Sequence, residues 1–255
     1  MVPYLDVAGV PVSLLNMELA YNEVCRYLSR RTGGYFIFRD MNGIVAANDD
    51  PELRKIHVNA AFVAPDGMPL VWLARYFGFS EVGRVYGPDF LIDFCDKSQD
   101  LGYRHFFYGS TNSTNAKLID QLRQRFPRLN ICGSYAPPLR SVSEDPCLED
   151  VERILTAQAD VVWIGLGTPK QEQWMSIHTA LMPHCVLLGV GAAFDFHAKV
   201  KRQAPLWLRS SGFEWAFRLA TEPRRLWRRY IIGIPRFLLL MATRGCRVPH
   251  SPSGE

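Results

Sequence analysis

The sequence lacks most of the signatures that assign an activity at a glance. Its six cysteines, Cys25, Cys95, Cys132, Cys147, Cys185 and Cys246, form no Cys-x-x-Cys pair, which excludes the common zinc knuckles and points to a reducing compartment. No Asp-x-Asp pair and no His/Cys cluster at ligand spacing is present, so no metal and no cofactor are expected. Gly-x-Ser-x-Gly is absent, and Gly109-Ser110-Thr111 reads as a turn and not as a nucleophile site, which sets hydrolases aside. The opening Met1-Val2-Pro3-Tyr4-Leu5-Asp6 has neither the basic nor the apolar part of a signal sequence. The longest apolar run near the tail, Tyr230 to Met241, is broken by Pro235 and Arg236, whereas a spanning helix needs about 20 residues. A cytosolic protein that lies on a membrane without crossing it is the expectation. There is no internal repeat and no low-complexity tract.

With 255 residues and 48% apolar content, the chain can bury a full core. The net charge of +4 hides an asymmetry: twelve lysines and arginines lie between Lys199 and Arg247 against only Glu214 and Glu222. That basic stretch is interleaved with Trp207, Trp215, Phe217, Trp227, Tyr230 and Phe237. Amphipathic Trp and Tyr suit the headgroup level of a bilayer, and no nucleic-acid module is recognisable, so anionic lipid is the expected partner and nucleic acid is not. Trp207, Arg224, Arg225, Trp227, Arg228, Arg229 and Arg236 are the candidate docking residues.

Short β-branched or aromatic runs ending in glycine alternate with helical patterns, which predicts βα units and a parallel sheet. The expected strands are 35–38, 61–64, 105–108, 130–133, 161–165 and 186–190. Helices are expected over 112–126, capped by Asn112 or Ser113, and over 144–158 and 169–181. The fold class is α/β: a Rossmann-like domain over residues 1–200, a basic helical appendage over 201–247, and an unstructured tail from 248. After Pro205 only helices are expected, interrupted at Gly212, Pro223 and Pro235.

In open α/β sheets ligands sit at the carboxyl ends of strands, so the turns at Gly109, Gly165 and Gly191 should face one crevice. Gly165-Leu166-Gly167-Thr168-Pro169-Lys170-Gln171-Glu172 opens a helix, with Pro169 suited to its first position. Free backbone N–H groups there, beside Lys170, would suit a diphosphate; an ordinary strand-to-helix turn is the competing reading. Ala64-Pro65-Asp66-Gly67 sets one carboxylate at a sharp turn among apolar neighbours, where desolvation would make Asp66 more basic; a simple Asp-Gly turn is the bland alternative. Arg84 offers a forked donor for phosphate oxygens, and Asp89 reads as a helix-start residue. Asp195 sits just past the Gly191 turn, where it could accept from a ribose or a base or act as a structural cap.

Taken in order, Asp49-Asp50-Pro51-Glu52-Leu53-Arg54, Pro65-Asp66-Gly67-Met68-Pro69-Leu70-Val71-Trp72, Arg84-Val85-Tyr86-Gly87-Pro88-Asp89, Gly165 to Glu172 and Gly189 to Phe196 resemble the WecG/TagA/CpsF family of bacterial glycosyltransferases. The tail elements Ala204-Pro205-Leu206-Trp207, Gly212-Phe213-Glu214-Trp215 and Glu222-Pro223-Arg224-Arg225-Leu226-Trp227-Arg228-Arg229-Tyr230 complete the set. The resemblance covers about residues 10–240. It implies an inverting, metal-independent transferase that moves a sugar from a UDP-sugar to a polyprenyl-diphosphate-linked sugar at the cytoplasmic membrane face, in the assembly of exopolysaccharide, capsule, teichoic acid or a related antigen. It implies Asp66 as catalytic base, Arg84 as diphosphate-binding arginine, Gln171 as active-site glutamine and Asp195 on the nucleotide side. Gly67, Gly109, Gly165, Gly167, Pro169, Lys170 and Gly191 are the accompanying substrate-binding candidates, and the tail is implied to close over the site and dock on the bilayer.

The sequence departs from that family at one place: Phe38-Arg39-Asp40-Met41-Asn42-Gly43 stands where many members carry a Thr-Pro-Asn-like segment, so the family's best-known donor sugar is not carried over. Two other readings stay open. A nicotinamide-dependent oxidoreductase would use the same sheet, though Lys170 replaces the third glycine of that fingerprint. A lipid-linked-sugar binding protein without turnover would use the same tail, and an apolar tail buried between subunits would make a homo-oligomer.

Overall fold

The computed structural model describes residues 2–138 and 145–248; from residue 249 the expected unstructured tail lies outside the described residues, as does Glu144. In chain order the elements are β1 (Tyr4–Val7), β2 (Val10–Ser13), α1 (Met17–Ser29), β3 (Gly34–Arg39), α2 (Met41–Asp49), α3 (Pro51–Val58) and β4 (Phe62–Pro65). Then come α4 (Met68–Tyr76), α5 (Gly87–Lys97), β5 (His105–Gly109), α6 (Asn112–Arg125), β6 (Ile131–Tyr135), α7 (Leu148–Thr156) and β7 (Val161–Gly165). The remainder is α8 (Lys170–His178), β8 (Val186–Gly189), α9 (Ala193–His197), α10 (Leu206–Ser210), α11 (Glu214–Thr221), α12 (Pro223–Trp227), α13 (Gly233–Arg244) and β9 (Cys246–Arg247). A π-helical turn, Arg228–Ile232, joins α12 to α13.

The chain forms two compact units. One holds Met17–Phe38 and Tyr86–Arg202, and its strands run parallel in the order β3-β8-β7-β5-β6. β5, β7 and β8 are continuous apolar runs, His105-Phe-Phe-Tyr-Gly109, Val161-Val-Trp-Ile-Gly165 and Val186-Leu-Leu-Gly189, buried almost throughout. Such runs bury both faces of a strand and therefore need helices on both sides, as parallel sheets have. At the heart lies Trp163, wholly buried, whose indole N–H donates to His105 Nδ1 at 3.1 Å. That fixes the other ring nitrogen as the protonated one, which meets Ser98 Oγ at 3.1 Å.

The expected strands are present, shifted by at most two residues. Helix ends differ more. α6 is capped by Thr111, whose hydroxyl accepts from the Thr114 N–H, and not by Asn112 or Ser113, because the preceding residue alone has the extended backbone a cap requires. Pro169 is the cap of α8 and not its first helical residue; the Thr168–Pro169 peptide is cis. α8 ends at His178, and Thr179–Leu181 continues as a 3-10 turn.

The other unit holds the described residues up to Asn16, Arg39–Val85 and the described residues from Gln203. β1 and β2 form a hairpin on Ala8-Gly9, both at positive φ, which is the geometry two-residue hairpin turns demand. β9 pairs antiparallel with β1, so the tail, expected to be helical only, closes on a strand. α3 begins at Asp50-Pro51, where the Asp50 carboxylate accepts from the Glu52 and Leu53 N–H groups and Pro takes the first position, which needs no donor. α13 packs along α2: Arg236 pairs with Asp49 at 2.6 Å, Arg244 donates to Asn48 Oδ1 at 2.6 Å, and Phe237 is buried.

Candidate active site

A narrow pocket opens in the second of these units. It is lined by the turns after β3 and β4, by Arg84, and by the tail residues Gly212, Glu214, Trp215, Arg218 and Tyr230. Its volume is about 80 Å³, enough for the reacting end of a substrate and far below the several hundred Å³ of a site enclosing a drug-sized ligand.

Asp66 is delivered to this pocket by the end of β4, and its N–H donates to the Arg39 carbonyl at 2.9 Å. The following residue, Gly67, is the cap of α4. Its side chain is 20% exposed.

Arg84 ties the pocket together. Its Nε donates to the Asp66 carbonyl. One terminal nitrogen donates to Glu214 Oε2 at 2.6 Å and lies 3.4 Å from Asp66 Oδ1, and the other donates to the Arg209 carbonyl at 3.0 Å. The forked guanidinium thus holds two carboxylates in fixed relation, and the nearer of them is Glu214, not Asp66. Glu214 Oε1 is also 4.0 Å from Arg218.

A third carboxylate, Asp40, stands beside them: a Cβ added at Gly67 would lie 3.2 Å from the Asp40 Cβ. Asp40 Oδ1 accepts from the Gly43 N–H, capping α2, and Oδ2 accepts from Arg229 at 2.7 Å and from Asn42 at 3.3 Å. Burial by itself would raise this carboxyl; the charge and hydrogen bond of Arg229 outweigh burial and hold it well below the usual range. Arg229 is driven up in turn, chiefly by Asp40. Behind the site Arg39 donates to His57 Nε2 at 2.8 Å, and His57 Nδ1 meets the Leu53 carbonyl at 2.6 Å. Burial, reinforced by Arg39, pushes His57 down to about 3.

The remaining predicted residues lie in the parallel-sheet unit. Gly109 and Gly165 are register partners at the ends of β5 and β7, and the Gly191 N–H donates to the Ile164 carbonyl, so the three turns are neighbours at the carboxyl edge. Gly109 is required as glycine: its φ is +126 and a Cβ would come within 2.6 Å of the Gly165 carbonyl carbon. Gln171 is buried and donates to the Gly189 carbonyl at 2.9 Å, while its Oε1 has no partner among the described residues. The Gln171 and Glu172 N–H groups are taken by the Gly167 and Pro169 carbonyls, which leaves fewer backbone donors for an anion than the sequence suggests. Lys170 is exposed beside them. Asp195, on α9, pairs with Lys201 at 3.0 Å.

In the tail, Trp207 and Trp227 are exposed, Arg228 lies over the Trp227 ring, and Arg224 and Arg225 are exposed, with Arg225 paired to Glu222. Arg229 and Arg236, expected on the same docking face, instead engage Asp40 and Asp49. Sequence reasoning passed over Glu214, Asp40 and Arg218 as site residues. For Glu214 a signal exists, a lone acid between Phe213 and Trp215 in a basic stretch; for Asp40 the inward turn of Arg229 is a property of the fold alone. Among the described residues no three His, Cys, Asp or Glu side chains converge as a metal site, and no helix is long and apolar enough to cross a membrane.

The chain has relatives among known proteins. The chain is 29% identical, over 88% of its length and 85% of the relative's, to the N-acetylglucosaminyldiphosphoundecaprenol N-acetyl-beta-D-mannosaminyltransferase of Bacillus spizizenii (strain ATCC 23059 / NRRL B-14472 / W23). It is 27% identical, over 84% of its length and 80% of the relative's, to the protein so named in Bacillus subtilis (strain 168). The model of the glycosyl transferase WecG/TagA/CpsF family matches residues 5–250, nearly the whole chain, and the chain therefore belongs to that family of glycosyltransferases.

Proposed function

We propose that this protein transfers a sugar from a UDP-sugar to a sugar carried on polyprenyl diphosphate, with inversion at the anomeric carbon and without a metal, at the inner face of the cytoplasmic membrane. The observation that carries the reading is the pocket in which Asp66 is braced by Arg84 against Glu214. The acceptor class is that in the names of the two Bacillus relatives.

In this reading Asp66 removes the proton from the acceptor hydroxyl. The acceptor oxygen forms its bond to the anomeric carbon as the bond from that carbon to the UDP oxygen breaks on the opposite face, and the electron pair leaves with UDP. The charge growing on the diphosphate is met by cations already in the unit, Arg84 and Arg218 lining the pocket, in surroundings where they act more strongly than in water. The glycine turns and Asp195 hold the nucleotide side. Docking on anionic lipid falls to Trp207, Trp227, Arg224 and Arg228, extended by the exposed Ile231, Ile232, Leu238 and Leu239, whose spacing makes one apolar helical stripe.

The test is UDP release from a panel of UDP-sugars with a short-chain polyprenyl-diphosphate-sugar acceptor. Acceptor-dependent release from one donor, abolished in Asp66→Asn, is expected and would name the sugar. Binding of the lipid-linked sugar with no release from any donor, in the presence of liposomes, would favour a binding protein instead.

A further inference from the structure

The tail contributes a wall of the pocket, and one ion pair fastens that wall near its base. Asp40 is rigidly placed: it ends the turn after β3 and caps α2 through the Gly43 N–H at 3.1 Å. Its second oxygen receives Arg229 at 2.7 Å, with the two side chains 26% and 33% exposed. The next tail residue, Tyr230, is buried and lines the pocket, and its ring centroid lies 5.9 Å from that of Trp215, which lines it too. Trp215 follows Glu214, the acceptor for Arg84.

A continuous set of contacts thus leads from Asp40 through Arg229, Tyr230, Trp215 and Glu214 to Arg84 and Asp66. The other pairs between α13 and α2 are of a different kind. Arg236–Asp49 is half exposed on both sides and Arg244–Asn48 is exposed, and such pairs contribute little. Arg229 Nε is buried with no hydrogen-bond partner among the described residues, and Asp40 accepts from its terminal nitrogen at 2.7 Å, so losing that carboxylate would leave a partly buried cation without its nearest counter-charge.

We propose that Asp40 is a positioning residue that, by holding Arg229, sets Tyr230, Trp215 and Glu214 in the pocket wall and so keeps Arg84 and Asp66 in register for transfer. The catalytic part of this statement rests on the transferase reading above; the tether itself does not.

The experiment compares wild type with Asp40→Asn, Asp40→Glu, Arg229→Gln and the double variant Asp40→Asn/Arg229→Gln in the full chain. Asparagine keeps the cap on α2 and removes the charge. Thermal melts and trypsin cleavage of the tail come first, since they need no substrate. Both neutral single variants are expected to melt lower and to expose the tail to trypsin several-fold faster, with the double variant no worse than the worse single. In UDP release, kcat is expected to drop about tenfold or more in each neutral variant at a temperature where all are folded, with Asp40→Glu recovering part of it.

Strictly additive melts together with wild-type trypsin protection would overturn the tether. A tether confirmed by melts and proteolysis, with kcat unchanged in Asp40→Asn, would overturn the positioning role. Coupled melts in a protein that releases no UDP with any donor would sustain the tether and sink the transferase reading, which separates the two failures.

Discussion

The two compact units present polar groups to a ligand in different materials. In the parallel-sheet unit the carboxyl edge is made of main chain: turns at Gly109, Gly165 and Gly191, with Gln171 buried and bonded to the Gly189 carbonyl. In the unit that includes the tail, charged side chains meet at the pocket: Arg84 bridges Asp66 and Glu214, Arg218 lies beside Glu214, and Asp40 is paired with Arg229. Main-chain turns suit the recognition of something of constant shape, such as a nucleotide, because their geometry is set by the sheet. Side-chain charge suits the step in which protons move and charge develops. The contrast teaches where to look for catalysis and where for binding.

The sharpest way to break that comparison is to remove one carboxylate from each unit. Asp66→Asn is expected to lower kcat about 10²- to 10⁴-fold, the usual contribution of a general base, with little change in donor KM. Asp195→Asn, in the main-chain unit, is expected to raise donor KM and to spare most of kcat. Equal kcat losses in the two variants, from steady-state UDP release, would erase the distinction.

Next in size is the brace. Arg84→Lys keeps a charge but cannot reach Asp66, Glu214 and the Arg209 carbonyl at once, since a single ammonium lacks the planar fork. A loss of roughly 10- to 100-fold in kcat is expected, an effect comparable to one misplaced catalytic contact. Glu214→Gln should give a similar loss, and the double variant should be no worse than the more impaired single one. Multiplicative losses would show that Arg84 acts on the substrate independently of Glu214.

The main-chain unit has its own weak point. Gly109→Ala forces a side chain onto φ +126 and against the Gly165 backbone, strain of about 1–3 kcal/mol or more, read as a lowered urea midpoint. Gly102→Ala, in the same unit and also at positive φ but with nothing within 4 Å, provides the control for backbone strain alone. If the two variants melt alike, the close approach of the β5 and β7 turns is not what demands glycine.

How far the sequence could be read follows the same division. The strands of the sheet were legible because 105–109, 161–165 and 186–189 are unbroken apolar runs ending in glycine, a pattern with few other solutions. Asp66 and Arg84 were legible through their turn and motif. The hairpin at Ala8-Gly9 and the returning strand β9 were not, since neither segment is long or strongly alternating and their pairing depends on contacts remote in sequence. Nor was the direction of the tail arginines. Arg228 and Arg229 are adjacent and identical in type, yet one lies over the exposed Trp227 ring and the other engages Asp40; only the rotation of the helix separates them. Composition gave the tail its charge but could not say which charges remain for a membrane.

The smallest expected effect is on acid stability, and it too compares the units, because each holds a buried histidine pushed well below its ordinary range. His57 and His105 are both pushed down to about 3, in each case chiefly by burial, with Arg39 adding to the shift at His57. Unfolded, either ring would titrate near its ordinary value of about 6.5. Between these values the unfolded chain binds protons that the native chain refuses, so stability falls as pH drops through that window and is fully present above it. Asp40 acts in a lower range: its depressed carboxyl contributes above the unfolded carboxylate value of about 4, and that contribution is lost only below it. Urea unfolding at pH 7, 6, 5.5 and 5 therefore isolates the histidines, with a loss of roughly 1 kcal/mol per histidine expected near pH 5.5. His57→Gln and His105→Gln should each remove part of the pH slope if the units unfold together, whatever they do to stability at pH 7. A slope that survives in one variant and vanishes in the other would mean that a single unit limits unfolding, and would turn the chemical contrast between the units into a thermodynamic one.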